Sequence, residues 1–256
     1  MSRRWTGRTQ AWSTQDFSTN DGWSKDERTV LILDLVQLAE PDWAPYGVGV
    51  ADPSLSELGQ AHAERLGQAY AEHRVTRFYV SPLARACETV APVAERLGQE
   101  PKVLDWTREL DRPPMTGTSW SEIESFFRRY RARPLEGWWR GPDGEGNYRA
   151  LFSRVESGVD GLLAETFNTR PVADMCDNRL YSEPDGPAHI LMVSHIGTIV
   201  TILCHLVGLT LFPWIYEKMS LGYGGLCPIR TVPLAGHWAW SLTSFNDRMH
   251  LGNDIL

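Results

Sequence analysis

The feature that most constrains this chain is the run Thr29 to Val36, TVLILDLV, a continuous apolar stretch broken only by Asp34. A strand with one wet face alternates apolar and polar residues. A strand without that alternation is covered on both faces, as in parallel sheets flanked by helices. Arg77 to Val80 and His189 to Val193 read as further strands, Val103 to Trp106 as a short one, and Trp238 to Phe245 as a late edge strand. Helical periods lie between them. Leu55 to His73 places Leu58, Ala61, Ala63, Leu66, Ala69 and Tyr70 at helical spacing, with Ser54 and Glu57 as a capping box. Ser81-Pro82 is a helix-start signal for a helix that Gly98 ends, and Gly208 closes the mostly apolar helix from Thr198 to Val207. Tyr148 to Glu165 is amphipathic. This order predicts an α/β fold: a three-layer sandwich, its sheet mostly parallel, with helices on both faces. Ligands of such sheets sit at the carboxyl ends of the strands. The loops after Val36, Val80 and Val193 open on that edge.

Residues 1–28 are polar and aperiodic and read as an N-terminal extension; residues 29–256 read as the domain. Within it, about 111–150 is irregular, with two early prolines, a short helix near Ser121 to Arg131 and the run GPDGEG. An insertion of this length between strands packs over a site as a cap. Thr166 to Pro187 reads as loop. The net charge of −7 and the lack of a basic block argue against a nucleic-acid partner. The four cysteines are scattered with no C-x-x-C pair, which points to neither a zinc site nor a disulfide framework and makes a reducing cytoplasm the expected setting. The most apolar stretch, Ile196 to Tyr216, contains His205 and Pro213 and falls short of the roughly 20 unbroken apolar residues of a bilayer span.

Several strand ends carry motifs. Ser81-Pro82-Leu83-Ala84-Arg85-Ala86-Cys87-Glu88-Thr89 follows the second strand, Arg108-Glu109 follows the third, and Val193-Ser194-His195-Ile196-Gly197 ends the strand at 189–193. Leu35-Val36-Gln37-Leu38-Ala39-Glu40 ends the first strand, Leu55-Ser56-Glu57-Leu58-Gly59 opens the helix after it, and Asn246 to Leu251 lies near the terminus. In this order, over residues 29 to 251, they resemble the histidine phosphatase (phosphoglycerate mutase-like) superfamily. The resemblance implies that Arg85 and His195 hold an anionic group and that Glu109 moves a proton. It also implies a departure. The family's strand end reads L-V-R-H-G-E, so Gln37 stands for an arginine, Leu38 for the nucleophilic histidine and Ala39 for a glycine.

Leucine has no lone pair and forms no phosphoryl intermediate. Glutamine offers a neutral amide where arginine offers a charged bidentate fork. The expectation is therefore a site with His195 and Glu109 as catalytic residues and Arg85, Gln37, Leu38, Ala39, Ser81 and Trp120 as substrate-binding residues, with no metal and no cofactor. Its ligand is expected to be a small molecule, a carboxylate or neutral polar compound. Neither nucleic acid nor membrane is an expected partner, and a homodimer is left open. The bland readings stand beside these: Arg85 pairing with a surface acid, His195 as a core histidine, Glu109 as a solvated loop acid. The bland reading of Trp120, with Trp138 and Trp139, is that they pack the cap on the body, and His62 and His73 are expected to be solvated. The expected function is acid/base isomerisation, cyclisation, elimination or hydrolysis of a small organic molecule, such as a secondary metabolite, without phosphohistidine chemistry. The alternatives are a non-catalytic binding or regulatory module and a residual phosphatase.

Overall fold

The computed structural model describes residues 30–110, 115–141, 148–175 and 178–252. The proposed extension at 1–28, the ends of the cap and Cys176 lie outside the described residues. The first apolar run forms β1 (Leu31–Gln37) near the middle of an eight-stranded sheet. Its lack of alternation has the expected cause, since helices cover both faces. Leu31, Leu33 and Leu35 join a core with Val155 and Val159 of α4 (Tyr148–Phe167) and Ile199 and Leu203 of α5 (Ile196–Val207). Val36 joins a second core with Leu66 of α1 (Glu57–Tyr70) and Val90 and Val93 of α2 (Ala84–Leu97). Asp34, the one charge in the strand, is buried and accepts hydrogen bonds from the Tyr70 hydroxyl at 2.6 Å and His189 Nε2 at 2.7 Å. A buried carboxylate is tolerable only when paired in this way.

β1 lies parallel to β6 (Ala188–Ser194), which lies parallel to β2 (Arg77–Val80), which in turn pairs in parallel with the short β3 (Lys102–Val103). The sheet is mixed, because the other side of β1 is antiparallel. There β7 (Leu226–Leu234) pairs with β1 and β8 (His237–Leu242) with β7, followed by the hairpin β5 (Asn178–Tyr181) and β4 (Pro171–Met175). The stretch expected to be loop at 166–187 thus supplies that hairpin, and β8 is interior rather than an edge. β7 escapes sequence reading because Pro228 and Pro233 interrupt it, and proline in a strand argues against a strand assignment.

Some local signals land a residue or two from where they were expected. The cap of α1 is Ser56, whose Oγ accepts from Gly59 N at 3.0 Å and donates to Glu40 Oε1 at 2.9 Å. α2 begins at Ala84, and Gly98 closes it at φ 59°. Val103 ends β3, and Asp105–Thr107 is a 3-10 turn. His62 is buried, not solvated, since α1 packs on α2 and on the closing turn Met249–Leu251, and His73, just past the helix, is half-buried against the rings of Tyr70 and His189.

The cap carries α3 (Trp120–Arg131), opened by a capping box between Ser119 and Glu122. It is tied to the loop after β1 by a bridge between Val48 and Ser119. Past α3, Arg133 lies 3.6 Å over the Tyr130 ring and donates to the carbonyls of Trp138 and Arg140. Trp138 is buried, and Trp139 meets Phe152 of α4 edge-on. Among the described residues no helix is long and apolar enough to cross a membrane.

Candidate active site

The parallel register aligns Gln37 with Ser194 and Val80 with Val193, so β1, β2 and β6 all end on one edge. A cavity of about 320 Å³ opens there, lined by Gln37, Leu38, Arg85, Glu109, His195 and Tyr223, among others. Five of the residues expected from the sequence therefore meet in one place.

His195 is the residue before α5 and keeps an extended backbone, φ −117° and ψ 156°. Its Nε2 lies 2.7 Å from Ser81 Oγ, and the tautomer decides which of the two donates. Ser81 is wholly buried and lines neither cavity, which corrects its expected place against substrate. It orients the imidazole instead. The turn into α5 also holds the loop bearing Glu109, because Ser194 Oγ donates to Thr107 O at 2.8 Å and Thr198 Oγ1 to the same carbonyl at 3.0 Å.

Glu109 is 7 % exposed, and both its oxygens are engaged by backbone: Oε1 accepts from Leu110 N at 2.8 Å and Oε2 from Gly197 N at 3.0 Å. A Cβ on residue 197 would come within 2.0 Å of Glu109 Oε1, so only glycine admits the carboxylate here. The glycine was visible in the strand-end motif, but its use becomes apparent only when the Glu109 loop folds over it.

Arg85 lies in the walls of both this cavity and a larger one of about 760 Å³ beside it. Its Nη1 donates to Asp52 Oδ1 at 2.8 Å, and its guanidinium sits 5.0 Å from the Trp43 ring centroid. Gln37 is locked by its backbone, with N donating to Gly225 O and O accepting from Gly224 N. Its side-chain oxygen is buried without a hydrogen-bond partner among the described residues. Leu38 belongs at once to the cavity wall and to the core cluster with Leu66. Ala39 is corrected: it is fully buried, lines neither cavity and packs with Leu55 and Ala63 while its N–H donates to Thr89 Oγ1.

Trp120 lines the larger cavity rather than the inner one. It begins a stripe on α3 that continues through Ile123, Glu124, Phe127, Arg128 and Arg131, the spacing of one helix face. Sequence reading missed Trp43, Asp52 and Tyr223. Trp43 Nε1 donates to the Tyr223 hydroxyl at 3.1 Å, and both residues wall both cavities. They come from loops far apart in the chain, where no period or motif singles them out. Among the described residues no group of three or more His, Cys, Asp or Glu is placed to hold a metal ion.

An arginine, a histidine and a glutamate are thus gathered at the strand ends of an α/β sheet, beside a larger cavity walled by the helical cap. The chain belongs to the histidine phosphatase superfamily (branch 1), whose family model matches residues 39–231 and so begins just past Leu38. Phosphoserine phosphatase 1 of Hydrogenobacter thermophilus is 27 % identical over 185 residues, 70 % of this chain and 77 % of that protein. Mycobacterial glucosyl-3-phosphoglycerate phosphatase is similar in structure, with a TM-score of 0.61 and 21 % identity over 85 % of this chain and 99 % of that one. A mutant phosphoserine phosphatase of Entamoeba histolytica, a histidine-to-alanine variant in complex with phosphoserine, gives a TM-score of 0.58 at 22 % identity over 86 % and 99 %. At such identities the solved structures speak for the fold. The sequence relative, which is named a phosphatase, corrects the expectation of non-phosphatase acid/base chemistry.

Proposed function

We propose that the protein is a phosphomonoesterase that works without a histidine nucleophile, by direct attack of water on the phosphoryl group. The observation that carries this reading is the convergence of Arg85, Glu109 and His195 on one cavity in a member of this superfamily. The relative named phosphoserine phosphatase supports the reaction class. Catalysis of phosphoryl transfer is mostly positioning and electrostatic stabilisation, so a site can keep part of its power after losing covalent chemistry. Arg85 and His195 hold the phosphoryl oxygens, and the Gln37 amide takes the place of a second cation. Water forms the new P–O bond as the bond to the alcohol breaks. Glu109 delivers a proton to the departing alkoxide, the attacking water on the opposite side of phosphorus loses one to solvent, and solvent reprotonates Glu109, so only water is consumed. Leu38 forms an apolar wall that takes no part in bond making. The setting we assign is cytoplasmic, in keeping with the free thiols Cys87, Cys204 and Cys227.

The test is release of inorganic phosphate from phosphoserine and from p-nitrophenyl phosphate. His195→Ala and Glu109→Gln are each expected to lower it by about 10²–10⁴-fold with the fold intact. No acid-labile phosphate should accumulate on the wild-type protein. Release that is undetectable, or equal in wild type and His195→Ala, would end the proposal.

A further inference from the structure

We infer that Asp52 is a built-in ligand of the protein's own anion seat, competing with an incoming phosphoryl group for Arg85 and the start of α2. The inference rests on the reading of this cavity as a phosphoryl site. A helix N-terminus beside an arginine makes an anion seat, through unpaired N–H groups and positive charge acting together. Here a carboxylate already occupies it. Asp52 Oδ2 accepts from the Ala84 amide at 2.8 Å, and Asp52 Oδ1 accepts from Arg85 Nη1, also at 2.8 Å. The pair is lopsided: the Arg85 side chain is 5 % exposed, that of Asp52 36 %. The arginine is therefore fixed in the wall, while the aspartate reaches it from the solvent side and can swing away.

The loop carrying Asp52 decides what moves it. On one side this loop is closed at its base, with Asp42 N donating to Ser54 O and a bridge between Pro41 and Leu55, and it is tied to the body by Leu55 N donating to Glu88 Oε2 of α2 at 2.8 Å. On the other it is tied to the root of the cap, with Gly49 N donating to Thr118 O at 2.8 Å and Gly117 N to Gly49 O at 3.1 Å. Asp52 and α3 wall the same larger cavity. An ester whose alcohol portion fills that cavity presses on the loop and the cap together, whereas a bare phosphate ion leaves the cavity empty and meets only the Asp52 carboxylate. Asp52 thereby sets specificity: it holds the seat against free inorganic phosphate and yields to a phosphomonoester with a body large enough to enter under the cap.

The experiment uses the full chain. Vanadate and inorganic phosphate binding are measured by calorimetry, and phosphate release is followed in parallel, for wild type, Asp52→Asn, Asp52→Ser and Asp42→Asn. In Asp52→Asn the amide oxygen can still accept from the Ala84 N–H, so the loop keeps its anchor while the competing charge is gone. Asp42 is exposed on the same loop and lines neither cavity, so its substitution removes an equal charge away from the seat. Asp52→Asn and Asp52→Ser are expected to bind both anions about tenfold more tightly, the scale of one unit charge at contact distance in a partly screened site. Asp42→Asn should stay at the wild-type value. Anion binding that is unchanged or weaker in both Asp52 variants, absent from all four proteins, or equally tightened by Asp42→Asn overturns the inference. Tighter binding without phosphate release leaves it standing and removes the proposed hydrolysis. Phosphate release with unchanged anion binding does the reverse.

Discussion

Two adjacent residues decide which chemistry this fold can run. Leu38 belongs to a buried cluster as much as to the cavity, so it is held by packing and does not merely fill space. Gln37 offers an amide whose oxygen has no partner among the described residues. Replacing the pair, Gln37→Arg with Leu38→His, is expected to restore a charged seat and a nucleophile together. Phosphate release from an aryl phosphate should rise by at least about 10²-fold, since lost nucleophiles are commonly worth several orders of magnitude. Acid-labile phosphate should appear on the protein. Placing an imidazole among Val36, Leu66 and Val90 should lower stability by about 1–3 kcal/mol, read by denaturant melts. A folded double variant with no trapped phosphate would mean that the cavity has diverged beyond these two positions. Ser81 acts one step removed. Ser81→Ala takes away the 2.7 Å contact that fixes the His195 ring. Turnover should fall about tenfold at unchanged KM, as for a lost hydrogen bond of about 1 kcal/mol or somewhat more. Ser81→Thr, which keeps the hydroxyl, should recover part of it.

At the scale of elements, the junction of β6 and α5 is where strand, helix and loop depend on one another. Ser194 and Thr198 hold the carbonyl of Thr107, and Gly197 receives the carboxylate of Glu109. Gly197→Ala would put a methyl group within 2.0 Å of Glu109 Oε1. The helix itself tolerates alanine better than glycine, so local propensity alone predicts a gain in stability. The contact predicts the opposite, because overpacking at this point costs about 1–3 kcal/mol. The expected result is a less stable protein whose phosphate release falls nearly as far as that of Glu109→Gln. A more stable and fully active Gly197→Ala protein would show that the Glu109 loop can move without consequence.

At the scale of the whole molecule, the closing turn returns to the first helix, and its protonation affects stability. Burial chiefly, with the charges of His62 and Arg248, holds His250 below the ordinary histidine value of 6.5, against the opposing pull of Asp247. Burial and the neighbouring His189 likewise hold His73 down, with Asp34 and Glu72 pulling the other way. The unfolded chain then binds protons more readily than the folded one. Stability from these groups is present above pH 6.5 and is lost as pH falls through their folded values. Denaturant melts at pH 7.5, 6.5 and 5.5 (chosen to bracket the free imidazole value of about 6.5) should show falling stability, less steep in His250→Asn. Parallel slopes for the two proteins would place the acid sensitivity elsewhere.

Much of the fold was present in local order. TVLILDLV demanded a strand covered on both faces, Gly98 and Gly208 stopped helices where they were expected to, and β2 has the ends read from the sequence. The strand-end motifs likewise brought Arg85, Glu109 and His195 to one edge, because a parallel sheet turns separate strand ends into neighbours. Other features had no local signal to read. Apart from β8, the antiparallel half of the sheet is built from short or proline-containing segments that become strands only when a neighbour offers hydrogen bonds, and β7 has that neighbour in β1. Ser81 and Ala39 look like site residues by position, yet the first supports a ring from behind and the second is sealed in a small core. Asp52 reads as one polar residue in a proline-containing loop. It reaches the start of α2 because Pro41, Leu55 and the root of the cap hold that loop in place, and such long-range contacts exist only in the folded chain. Residue type and order thus determined the parallel strands, the main helices and the edge on which those strands meet; three-dimensional packing decided the rest of the sheet and which side chains face the cavity, since burial and partner are properties of neighbours distant in sequence.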